Sequence, residues 1–249
     1  MRTLTSSSLA WVMLLAGCDI VENPVPSGQQ SGGSSETVKR RALLEEYTGH
    51  YCINCPVAHI VAAQLKSLYG DELIVVNLHA AANFNSAFIA PQNNPDNSYA
   101  TDFRTSEGQS YATNYSVVFM PSGKVNRTPF NSSTVLSSAS WSSAIAEIVT
   151  EDALFDVWVD EIAHDAGANT VSATVKVAVL TDVTGEYKLT TYLLEDHVVD
   201  WQYSSLATPP DVPNYDHRHV FRKTLDGAWG QVAIAASADV GDTLTFTYS

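Results

Sequence analysis

Two cysteines three residues apart, Cys52 and Cys55, stand between an apolar run and a stretch of helical periodicity, with Pro56 directly after the second. Upstream, Ala42-Leu43-Leu44 is short and apolar, as a buried strand would be. Downstream, Val57, Ile60, Val61, Leu65 and Leu68 recur at helical spacing, and Gly70 is a stop signal. Pro56 suits the first turn of that helix, where its missing N–H costs nothing. The pattern therefore predicts a strand that turns into a helix N-terminus, with the Cys pair at the turn.

The position sets the chemistry. Unpaired N–H groups and the positive end of the helix dipole stabilise a thiolate and lower the pKa of the first Cys. Cys52 is the exposed candidate nucleophile, and Cys55, one turn further in, is the candidate resolving thiol. His50 and His59 bracket the pair, so a copper or zinc site with Cys and His ligands competes with redox chemistry. Redox chemistry is the more economical reading, and no metal or other cofactor is expected. Haem attachment at this motif is excluded, because Pro56 stands where it needs His.

The stretch Leu44-Glu45-Glu46-Tyr47-Thr48-Gly49-His50-Tyr51-Cys52 is similar to the thioredoxin pattern of acid, aromatic residue, aromatic residue and Cys. The run Tyr115-Ser116-Val117-Val118-Phe119-Met120-Pro121-Ser122 resembles the segment leading into the thioredoxin cis-proline. Between them, Leu73-Ile74-Val75-Val76-Asn77-Leu78-His79 fits a central parallel strand, and a last helix is expected from about Ser138 to Glu151 with Ile145, Ile148 and Val149 buried. The resemblance implies that Glu46 accepts a proton from the resolving thiol, with Glu45 the alternative inward acid. It also implies that a cis Met120–Pro121 peptide and Tyr51 contact an extended substrate. A trans Pro121 at a strand start is the plainer alternative.

From Ala153 the pattern changes to period two. Phe155, Val157 and Val159 alternate with polar residues or Trp158; Val171 to Val179, Tyr187 to Leu193, and Leu244 to Tyr248 do likewise. With turns at Gly167, Asn169 and Gly185, this argues an antiparallel β-sandwich. Trp201 to Tyr215, with Pro209, Pro210 and Pro213, reads as a long loop rather than a strand. His217 and His219 lie two apart in a predicted strand, so both would share a face, either packing at a domain junction or serving a metal.

The first residues are an export address: Arg2, a polar stretch, then the apolar run Leu9 to Leu15. Leu15-Ala16-Gly17-Cys18 resembles the bacterial lipobox, which implies removal of residues 1–17 and lipidation of Cys18; a plain signal peptide is the alternative. Residues 18–37, rich in Pro, Gly and Ser, form a flexible tether. The net charge of −14, with 13 basic against 27 acidic residues, leaves no surface for nucleic acid and repels anionic lipid. Acyl chains must then hold the protein at a membrane. No nucleophile elbow, HExxH helix or phosphate-binding Gly loop occurs, so hydrolase and nucleotide chemistry have no support.

Taken together, Glu45 to Gly49, Cys52 to Pro56, Met120 to Arg127 and His217 to Arg222 resemble a narrower family. It is the family of exported lipoproteins related to the twenty-eight-kilodalton outer-membrane protein of Bacteroidetes. The resemblance implies a thioredoxin-like α/β domain over 38–152 followed by a β-sandwich domain over 153–249. Family members tend to continue past the strand ending at Ser249, which would leave a sandwich edge open. It also implies a cell-envelope location, with the outer membrane favoured over the inner. Two functions fit. One is a thiol–disulfide oxidoreductase acting on protein thiols or disulfides. The other is a non-catalytic binding or adhesion lipoprotein in which Cys52–Cys55 is a structural bond.

Overall fold

The computed structural model describes residues 37–249, so the leader, Cys18 and nearly all of the tether lie outside the described residues. In chain order the first part holds β1 (Ala42–Tyr47), α1 (Cys55–Tyr69), β2 (Leu73–Leu78), α2 (Ser106–Asn114), β3 (Ser122–Val125) and α3 (Ser138–Ile148). The second is all strand: β4 (Phe155–Asp165), β5 (Thr170–Val179), β6 (Val183–Thr184), β7 (Tyr187–Leu189), β8 (Tyr192–Glu195) and β9 (Val198–Tyr203), then β10 (Asp211–His217), β11 (Val220–Thr224), β12 (Gln231–Ile234), β13 (Ser237–Ala238) and β14 (Thr243–Tyr248).

The expected elements of the first part form where the periodicity puts them. Gly70 ends α1, with φ +54, and its N–H bonds to the Lys66 carbonyl. The buried stripe of α1 is Cys55, Ala58, Ala62 and Leu65, whereas Val57, Ile60 and Leu68 are exposed. Alanines at the contact let the helix lie close to the sheet, so the larger apolar residues end up outside. The last helix stops at Ile148, three residues short of the expected end, and Ile145 and Ile148 are buried.

One mixed sheet has the order β3-β1-β2-β11-β8. β1 and β2 run parallel, with Ala42 opposite Leu73 and Tyr47 opposite Leu78, and β3 is antiparallel to β1. Parallel strands buried on both faces read as near-continuous apolar runs, and an inner strand needs a partner on each edge. β2 finds its second partner far along the chain: β11 lies parallel to it through Val220 opposite Asn77, and β8 pairs antiparallel with β11. The Asn77 N–H and side-chain amide donate to the carbonyls of His219 and Arg218. The sheet therefore crosses the division expected at residue 152.

Both faces are covered. On one, α1 and α3 pack Leu65, Trp141 and Ile145 against Leu44, Val75 and Val125. On the other, Tyr111 of α2 meets Tyr47, Leu78 and Phe221. A Cβ on Gly123 would stand 2.9 Å from Trp141, so only glycine lets that indole reach the strand.

The rest is antiparallel β in several small sheets: β14-β5-β4, β12-β7, β13-β6 and β10-β9. Asn169, at φ +52, supplies the tight turn between β4 and β5. The segment expected to be a loop from Trp201 to Tyr215 is instead most of a hairpin, β9 paired with β10. The pairing shifts register between Val212 and Tyr215, and Pro213, which has no N–H to offer a ladder, sits inside that irregularity. Among the described residues no helix is long and apolar enough to cross a membrane.

Candidate functional site

β1 delivers the chain to the turn and α1 leaves from it, with Cys55 the first helical residue and Pro56 in the first turn. Cys52 and Cys55 are bonded to each other, their Cα atoms 5.4 Å apart. Gly49 is required here: a Cβ on it would meet the Phe88 carbonyl oxygen at 2.2 Å. That same carbonyl accepts from the Tyr51 N–H.

Cys52 was expected to be exposed, but it is 3% exposed and Cys55 is fully buried. The cover is the β9–β10 hairpin. The Tyr203 N–H donates to the His50 carbonyl and the Ser205 N–H to the Ile53 carbonyl, each at 2.8 Å. Gln202, fully buried, donates from its amide to the carbonyls of Cys52 and Gly49 at 3.2 and 3.3 Å. The Tyr203 ring stacks on Tyr51 with centroids 5.0 Å apart. The hairpin is further fixed by Tyr99, whose hydroxyl donates to Asp211 at 2.7 Å, and by Thr101, which donates to Asp200.

Glu45 and Glu46 are both fully buried, on opposite faces of β1. Glu45 accepts two bonds from Arg127, at 2.8 and 2.9 Å, and one from the Tyr192 hydroxyl. Lys124 lies 3.3 Å from it as an ion pair, with its ammonium 3.7 Å from the Tyr115 ring centre. Burial pushes the Glu45 pKa up, but the Arg127 hydrogen bonds and the two cations outweigh it and hold the carboxyl below its ordinary value. Burial brings Lys124 down to about 8. Among the described residues Glu46 has no hydrogen-bond partner on either oxygen, and burial drives its pKa well above the usual range. Its nearest ionisable neighbour is His59, 3.6 Å away. Burial, with a smaller contribution from His217, lowers His59 to about 3, so both shifts favour the uncharged pair, with the proton on the acid. Glu46 and His59 line a cavity of about 260 Å³ together with Lys66, Asn77, Tyr215 and Arg218.

His50 and His59 have other partners than the sulfurs. The His50 Nε2 faces the Ala90 carbonyl, and His59 is held between the Thr48 and Tyr215 hydroxyls. Among the described residues no three His, Cys, Asp or Glu side chains are arranged to hold a metal ion. His217 and His219 do not share a strand face, as their spacing had suggested. His217 ends β10, buried, while His219 sits at φ +52 in the turn before β11, where its N–H donates to Asp196.

The Met120–Pro121 peptide is cis. Met120 lines a surface groove with Val117, Val118, Phe119, Ala82 and Phe88, and Phe88 ties that groove to the Tyr51 backbone. Cys18 lies outside the described residues. Sequence reasoning missed the cover residues Gln202, Tyr203 and Ser205, and also His79. The available signal was the alternation of Val199, Trp201 and Tyr203 with Asp200 and Gln202, masked by the prolines that follow.

The fold has solved counterparts. A structural-genomics protein from Agrobacterium tumefaciens superposes with a TM-score of 0.50 at 11% identity, over 86% of this chain and 80% of that one. HBP35 of Porphyromonas gingivalis superposes with a TM-score of 0.53 at 16% identity, over 85% of this chain; the match spans 64% of the HBP35 structure. At these identities the likeness speaks for fold alone. No curated protein matches the sequence. Residues 108–249, from α2 through β14 and including the hairpin that covers the cysteines, match the family described as outer membrane protein Omp28. That match spans more than half of the sequence: the chain belongs to the Omp28 outer membrane protein family, and its place is the outer membrane of the cell envelope.

Proposed function

We propose that this chain is a non-catalytic binding or adhesion lipoprotein of the outer membrane, held there by acyl chains on Cys18, in which the Cys52–Cys55 bond is structural. Its first part is a thioredoxin-like α/β unit that borrows β8 and β11 from downstream, and its remaining strands make a β-sandwich-type unit facing a protein or glycan partner. The observation that carries the reading is the burial of both cysteines beneath the β9–β10 hairpin, whose backbone bonds to His50 and Ile53 close over the motif. A working exchange site needs its attacking sulfur within reach of a protein substrate. Membership of a family described only as outer membrane proteins points the same way.

The buried, partnerless Glu46 favours a second reading. Here a donor dithiol first reduces the Cys52–Cys55 bond and the hairpin lifts. The Cys52 thiolate then attacks a substrate disulfide and releases one substrate thiolate. Cys55 displaces the second and re-forms the Cys52–Cys55 bond, while Glu46, ionised once opening hydrates it, takes the Cys55 proton, with Tyr51, Met120 and Pro121 against the substrate. A Cys55→Ser variant expressed in the envelope separates the two. The structural reading predicts no mixed disulfide on Cys52 beyond the background of the Cys52→Ser, Cys55→Ser double variant. A partner trapped in substantial yield through Cys52 would establish exchange instead.

A further inference from the structure

The hairpin meets the α/β part across a seam of imidazoles. Four of the seven histidines in the chain, His50, His59, His79 and His217, line it, and all four are buried or nearly so. Phe103 is the hub. His79 stacks on its ring at 4.6 Å, His217 tilts against it at 5.0 Å, and His50 meets it edge-on at 5.8 Å. The His79 and His217 ring centres are 5.7 Å apart, and among the described residues neither ring nitrogen of His79 has a hydrogen-bond partner. An imidazole in such a place is tolerated only while neutral, because a proton would put an unpaired charge against two other imidazoles and a phenyl ring.

We propose that this seam is an acid-released latch: protonation of His79, His217 and His50 lifts the β9–β10 hairpin and exposes the Cys52–Cys55 disulfide to solvent. The inference concerns access to the bond and does not depend on whether the bond is structural or catalytic.

The charges around the seam decide its sign. Burial lowers the pKa of all three histidines, His217 to about 4 and His79 well below its ordinary value. Asp200 of β9 faces both His50 and His217, and Asp216 faces His217; these carboxylates soften the shift without reversing it. Asp102 and Arg104 face His50 with opposite charges, while Arg222 of β11 faces His79 and opposes its protonation. Burial thus favours the neutral form of each histidine while the hairpin is closed, and opening removes that penalty. An imidazole that changes from neutral to a free pKa near 6.5 favours opening about tenfold more at pH 5.5 than at pH 7.5. Three give up to about a thousandfold. The Glu46–His59 pair works against them. Burial favours the protonated Glu46 carboxyl while the pair is covered, and hydration on opening would let that proton leave as pH rises, which opposes acid opening by up to about tenfold. The net expectation is a rise of about a hundredfold.

The test is the rate of reduction by a water-soluble phosphine, which converts the disulfide to two thiols as it becomes phosphine oxide. The rate is normalised to oxidised glutathione in the same tube, and thiols are counted by alkylation and mass. The latch predicts a normalised rate about a hundredfold higher at pH 5.5 than at pH 7.5, with β5 amides still protected from hydrogen exchange. His79→Phe, which keeps the packing on Phe103 and cannot protonate, should cut that ratio about tenfold. His217→Gln repeats the comparison from the hairpin side if His79→Phe does not fold. A normalised rate that does not change with pH overturns the proposal. So does a loss of β5 protection in step with reduction, because acid would then be unfolding the whole chain.

Discussion

Glu45 and Glu46 are consecutive, equally buried, and handled by opposite means on the two faces of one sheet. On the Glu45 face the carboxyl stays ionised, and Arg127, Lys124 and Tyr192 satisfy it. On the Glu46 face no Lys or Arg among the described residues pairs with the carboxyl, since Lys66 bonds the Gly70 and Leu73 carbonyls and Arg218 pairs with Asp196, and burial favours keeping its proton beside His59. Two features accompany that difference. The ion network joins β1 and β3 to β8, so it fastens together strands that are remote in sequence. The neutral face lies under the hairpin, where Tyr215 and His59 meet. One face is held by charge, and the other is held by the absence of charge.

The largest effect expected is from breaking the charged face. Glu45→Gln leaves Lys124 and Arg127 without their anion in a buried site, and should cost about 3–5 kcal/mol in urea unfolding at neutral pH. Removing the cross-link on the neutral side costs less. The short loop closed by Cys52 and Cys55 predicts a loss of about 2 kcal/mol for the Cys52→Ala, Cys55→Ala variant, measured by the same method.

Glu46→Gln sharpens the contrast through its pH dependence. A folded pKa raised above the unfolded value contributes stability that is full below the unfolded pKa and is lost as pH rises through the folded pKa. Wild type should therefore lose stability relative to Glu46→Gln as pH rises from 5 to 8, by up to about 1.4 kcal/mol per pH unit. A Glu45→Gln variant would not display that trend, because Glu45 is held below its ordinary value. The smallest effect belongs to the exposed pair Lys39–Asp152. Lys39→Ala should change stability by less than about 0.5 kcal/mol, and by less still in high salt.

What could be read in advance followed locality. β1, α1, β2 and α3 were legible because each carries its own period and its own punctuation, Pro56 and Gly70 for α1. The five-stranded sheet was not legible as a whole. Val220 and Phe221 read as apolar strand residues, but nothing local says that β11 will lie parallel to β2 across more than 140 residues of chain. The hairpin was missed because Pro209, Pro210 and Pro213 look like a loop, while one of them sits in a bulge. The cysteine site was legible in its position on β1 and α1 and illegible in its burial, because the covering residues Gln202 to Ser205 come from that same hairpin. Both glutamates were suspected as the inward acid, and alternation along β1 sent both inward, to different faces.

The most direct test of the buried, structural bond is the reduction potential of Cys52–Cys55 at pH 7, from glutathione titration with mass readout. The account predicts a value below about −300 mV, the range of structural disulfides. A value between about −120 and −270 mV, where working oxidoreductases lie, would contradict it.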